Sequence, residues 1–99
     1  MRAVVIGRWE PNKFKEVSRR FFGMLEGDAP SEVLSAYKKI KFHAFEFPSA
    51  YGQNCVVMVC EADELTFATF ARYWADVMSI ELIPSVPLEV IAMRKVGLE

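Results

Sequence analysis

Hydrophobic positions along the chain fall into short blocks whose period alternates between strand and helix. Ala3 to Trp9 (AVVIGRW) is mostly apolar at both parities and predicts a strand covered on two faces. Pro11 follows, with a fixed φ and no amide to donate, and suits a helix start. From Asn12 to Glu26, Phe14, Val17, Phe21 and Leu25 recur at helical spacing, with Met24 beside the stripe and Phe22 on its edge. Gly27 is placed to stop that helix. Ser31 to Tyr37 predicts a short helical turn, capped by Ser31. Lys39 to Phe47 alternates as a strand, Pro48 to Asn54 (PSAYGQN) has loop composition, and Cys55 to Glu61 (CVVMVCE) predicts a second central strand. Asp63 is placed to cap a helix reaching Met78, whose buried stripe is Phe67, Phe70, Ala71, Trp74 and Met78. Ile80 to Val86 (IELIPSV) closes the pattern, and Pro84, which cannot donate to a ladder, puts that strand at a sheet edge. Residues 87–99 fit either a short C-terminal helix or an extended arm.

The order is βαββαβ. Right-handed crossovers turn it into an α+β, ferredoxin-like domain spanning residues 1–99: a four-stranded antiparallel sheet with two helices on one face. Side chains alternate across a strand, so parity sorts the strand residues by face. Ala3, Val5, Gly7, Ile40, Phe42, Ala44, Val56, Met58, Cys60, Ile80 and Leu82 form a nearly all-apolar set assigned to the helix side. The other set holds Val4, Ile6, Phe45, Phe47, Val57, Val59 and Ile83 with a polar minority. So apolar a face needs a cover. A second copy laying its own sheet against it would close a dimeric α/β-barrel, which makes a homodimer through the sheet face the expected partner.

The polar minority is Arg8, Lys41, His43, Glu61 and Glu81. With the first and third strands taken as parallel neighbours, Arg8 and Glu61 share one end of the sheet, and Glu81 starts the last strand there. A hairpin pairing Phe47 with Cys55 sets Lys41 opposite Glu61 and His43 on the diagonal. His43 beside the Glu61 carboxylate is a candidate acid–base pair. Arg8, Lys41 and Glu81 are candidate ligand-binding groups, the cations suiting an anionic molecule. A divalent metal on His43, Glu61 and Glu81 is the alternative chemistry, opposed by the charges of Arg8 and Lys41. A self-satisfied ion network at an interface is the non-catalytic alternative.

Composition narrows the classes. The 99 residues are 53% hydrophobic and 25% charged, with net charge −1, so no basic stripe points to nucleic acid. The third strand lacks the aromatics on which RNA-recognition sheets stack bases. Cys55 and Cys60 are about 16 Å apart along a strand, which excludes a disulfide between them. No glycine-rich phosphate loop, C-x-x-C or H-E-x-x-H occurs, so neither a cofactor nor a metal is expected. No run suits a leader or a membrane span, and the expected location is the cytoplasm. Trp9 and Trp74 read as core residues, and Tyr51 as a loop residue able to lid a pocket.

Three stretches carry a resemblance: KFHA (Lys41 to Ala44), VCEADE (Val59 to Glu64) and IELIPSV (Ile80 to Val86). They resemble, in order, motifs of a family of short bacterial and archaeal proteins known as a domain of unknown function, within the dimeric α/β-barrel superfamily of ferredoxin-like folds. The resemblance implies a face-to-face homodimer and no assigned activity. His43, Glu61 and Glu81 match the family's polar motif positions, whereas EFPSAYGQN replaces its shorter turn. The expectation is a homodimer that binds or transforms a small organic, anionic molecule near His43 and Glu61. Its rival is a structural or regulatory interaction module.

Overall fold

β-Branched and aromatic runs form four strands, β1 (Arg2–Arg8), β2 (Lys41–Glu46), β3 (Cys55–Glu61) and β4 (Ser79–Pro84). They make one sheet in the order β2-β3-β1-β4 in the computed structural model, which describes residues 1–48 and 54–91. Every neighbouring pair is antiparallel. With helices α1 (Phe14–Leu25), α2 (Ser31–Lys39) and α3 (Glu64–Trp74) between strands, this is the expected α+β ferredoxin-like fold. The predicted helical turn at Ser31 is a full helix, and Pro30, not Ser31, holds its N-cap position. The predicted Pro48–Asn54 loop and C-terminal tail lie largely outside the described residues, which exclude 49–53, with Ser49 and Tyr51, and 92–99.

Two sequence expectations are corrected here. The first and third strands are antiparallel, with Arg2 opposite Glu61 and Arg8 opposite Cys55. The topology requires this. A helical crossover returns β2 parallel to β1, and the hairpin then reverses β3. The second correction is a one-residue bulge in β2. Lys41 pairs with Glu61 and Phe42 with Cys60, but Ala44, not His43, pairs with Val59. From there on the parity flips. Phe45 pairs with Met58 on the helix side and Glu46 with Val57 on the open side, so the predicted Phe47–Cys55 pairing does not form.

The core lies between sheet and helices: Ala3, Val5, Met58 and Cys60 from the strands, Val17, Val33, Phe67, Phe70 and Trp74 from the helices. Burial pushes the Cys60 thiol up, and it stays a free thiol, like Cys55. Asp63 caps α3 by accepting from the Thr66 backbone N–H at 2.7 Å. Gly27, at φ +83°, ends α1 in the left-handed region that favours glycine. On α1 the buried stripe is Val17 and Met24 with half-buried Phe21, whereas Phe14 and Leu25, predicted inside, are more than half exposed.

One side chain ties α1 to the end of α3. Arg20 donates Nη1 and Nη2 to the two Asp76 carboxylate oxygens at 2.7 Å each, Nη1 to the Tyr73 carbonyl at 2.8 Å, and Nε to Glu16 at 2.9 Å. Hydrogen bonds from Arg19 and then Arg20 pull the Glu16 carboxyl from 4.5 to about 2, and Arg20 lowers Asp76 in the same way. A carboxyl held low in the folded state stabilises fully above its ordinary value and loses that contribution as pH falls through its folded value. Replacing Arg20 by Met should therefore lower the thermal midpoint by about 5 °C near neutral pH. The deficit should shrink as pH falls from 4.5 toward 2. Calorimetry across that range checks it, and a pH-independent deficit would mean that the ion contacts contribute nothing.

Candidate functional site

The expected five-residue cluster divides between the two ends of the sheet. Lys41 stands opposite Glu61, as read from the sequence. His43 occupies the bulge, with Nε2 at 3.3 Å from Glu61 Oε1. Arg8 and Glu81 are not with them. Arg8 pairs with Cys55 and Ser79, and Glu81 with Ile6, toward the opposite end. Their expected place in the cluster fails because β1 and β3 are antiparallel. The metal set of His43, Glu61 and Glu81 is not brought together, and no group of three His, Cys, Asp or Glu among the described residues could hold a metal.

The cation that does meet Glu61 is Arg2, whose Nη1 lies 3.5 Å from Glu61 Oε1. The sequence reading missed it because parallel strands would have put Arg2 at the far end. Its parity, shared with Val4 and Ile6, was the available signal. Burial by itself would raise the Glu61 carboxyl. The hydrogen bond to His43 and the charges of His43, Lys41 and Arg2 outweigh that and hold it below its ordinary value. The four side chains border an open sheet face whose middle is apolar. Val4, Ile6, Val57 and Val59 are half-buried and Ile83 is 42% exposed.

On the other side of the sheet, under α1, lies a cavity of about 50 Å³. Its lining is apolar and includes Phe21, Phe42, Phe45, Trp9, Trp74 and Met78. The bulge contributes directly here. It turns Phe45 inward, where its ring lies 5.7 Å from Phe21 and 5.4 Å from Phe42, centroid to centroid. Phe47 joins them at 5.4 Å from Phe21. Both residues were expected on the open face. Trp9 Nε1 and Trp74 Nε1 are buried and have no hydrogen-bond partner among the described residues. The enclosed apolar space forms a second candidate site, which the reading of both tryptophans as plain core did not anticipate.

A family model described as a domain of unknown function (DUF3303) matches residues 1–95. No curated protein matches the chain. The chain is similar to a solved structure, that of Rv0793 from Mycobacterium tuberculosis. The two are 12% identical over 88% of this chain and 97% of that one, with a TM-score of 0.49.

The Glu61 carboxyl offers a direct check of the cluster. Carbon-detected titration should place it below 4.5, and replacing His43 by Phe should move it upward. Because the folded value is depressed, the stability it contributes is present above 4.5 and fades as pH falls below it. A Glu61 midpoint that ignores the His43 substitution would remove the contact from the account.

Proposed function

The chain belongs to the DUF3303 family, a domain of unknown function, and we propose that it works as a homodimer that binds a small organic molecule in the cavity under α1. The observation that carries the ligand is the enclosed apolar space itself, lined by Phe21, Phe42, Phe45, Trp9 and Trp74 with no polar atom on its surface. The lining has no charge to offer, so the ligand is uncharged and mostly apolar. As it stands, the cavity exceeds one water molecule's share of liquid volume, about 30 Å³, and suits a ligand of a few heavy atoms.

The homodimer is supported by the open sheet face. Val4, Ile6, Val57, Val59 and Ile83 make a continuous apolar strip across β4, β1 and β3, and an uncovered strip of that kind marks an interface. A second copy presents the same strip and closes it symmetrically. His43 and Glu61 belong to this face, with the sheet between them and the cavity. Their role in this reading is to border the dimer interface, not to meet the cavity's ligand.

Light scattering at micromolar concentration should give twice the chain mass. Replacing Val59 by Lys should give a folded monomer, because the charge falls in the middle of the strip. A wild-type monomer contradicts the dimer. For the ligand, titrating butanone should shift the Trp9 and Trp74 indole N–H signals along a saturating curve. Replacing Ala71 by Leu, which fills part of the space, should abolish the shift. Indole signals that do not move would leave the interaction-module reading in place.

A further inference from the structure

The end of the sheet carries a polar row that the cavity does not use and that only borders the dimer strip. It crosses the sheet from edge to edge: Lys41 opens β2, Glu61 closes β3 opposite it, and Arg2 opens β1 opposite Glu61. Ser85, just past β4, completes the row, donating its backbone N–H to the Arg2 carbonyl at 3.0 Å. Two atoms in the row are buried and have no partner among the described residues, Arg2 Nε and Ser85 Oγ. They belong to residues joined by that backbone hydrogen bond.

Glu61 does not supply the missing acceptor. One of its oxygens, Oε1, faces both His43 Nε2 at 3.3 Å and Arg2 Nη1 at 3.5 Å. It therefore meets Arg2 at the Nη1 end and leaves the Nε edge without an acceptor. Arg19 shows, within the same molecule, what that edge does when served. Its Nε and Nη2 donate to the two oxygens of Glu16 at 3.0 and 2.6 Å. Charge points the same way. Arg2 and Lys41 bring two fixed positive charges against the single Glu61 carboxylate in the row, and His43 can add to the positive side.

The geometry points to a binding site for a small carboxylate anion at this end of the sheet, held side-on by the Nε edge of Arg2 and capped by the Ser85 hydroxyl. A carboxylate fits because a guanidinium edge and two coplanar oxygens form parallel charge-assisted hydrogen bonds. A serine hydroxyl adds a donor without adding charge. This site is separate from the cavity under α1 and asks for the opposite ligand chemistry, so either can fail without the other.

The test is a titration of the intact chain with acetate at constant ionic strength, chloride replacing acetate. It is read from the Arg2 Nε–H signal in nitrogen-edited NMR. The expected result is a saturable shift. Ser85→Ala should weaken acetate binding about tenfold. Arg2→Lys, read from the Ser85 amide, should abolish it, because lysine keeps the charge and loses the edge. Arg8→Lys, at the other end of the same face, should leave it unchanged. The absence of a saturable shift overturns the site. So does a response that Arg2→Lys or Ser85→Ala leaves intact, which is screening alone. An Arg2 Nε–H signal that ignores acetate, together with an Arg2→Lys chain that dimerises more weakly, also overturns it. The acceptor is then a carboxylate of the second copy.

Discussion

One extra residue in an edge strand decides how this sheet divides its work. In an unbroken strand, Lys41, His43, Phe45 and Phe47 would share a face, mixing two polar groups that demand hydration with two large rings. The bulge at His43 separates them. A bulge leaves its extra residue out of the ladder and re-aims the side chains that follow. Here it leaves Lys41 and His43 with Glu61 on the open side and sends Phe45 under the helices. β2 lies at the sheet edge, where such an irregularity disturbs a ladder on one side only.

Much of the fold was legible in the sequence because it rests on local signals. Periodicity placed the strands, Asp63 marked a helix start, Gly27 marked a helix end, and Pro84 marked an edge. The Lys41–Glu61 pairing was read correctly although the hairpin register behind it was one residue off, because the bulge offsets the difference. What could not be read were two non-local facts. Strand direction relative to a neighbour depends on the whole crossover path, and misassigning it put Arg8 and Glu81 in place of Arg2. A bulge changes no residue type, so KFHAFEF alternates equally well with or without it. On α1 the apolar residues span more than one face, and spacing alone could not say that Val17 and Met24, not Phe14 and Leu25, would be buried.

The consequence is a sheet with two chemistries. The helix side is dry and aromatic, with rings linked from Tyr37 through Phe42 and Phe45 to Phe21 and two indole donors unmet. The open side is an aliphatic strip ended by a cationic row. Burial on the first side favours an uncharged guest, and the unmatched positive charge on the second favours an anion. The ionisable residues that attract attention in the sequence therefore sit across the sheet from the enclosed space.

The bulge is most directly tested by proton–proton contacts of the Phe45 ring in an aromatic nuclear Overhauser spectrum. Cross-peaks from Phe45 to the Phe21 ring are expected, with the His43 ring on the opposite face of the sheet. Cross-peaks from Phe45 to the methyl groups of Val57 and Val59 instead would mean an unbroken strand. The division between a dry helix side and a charged open side would then collapse.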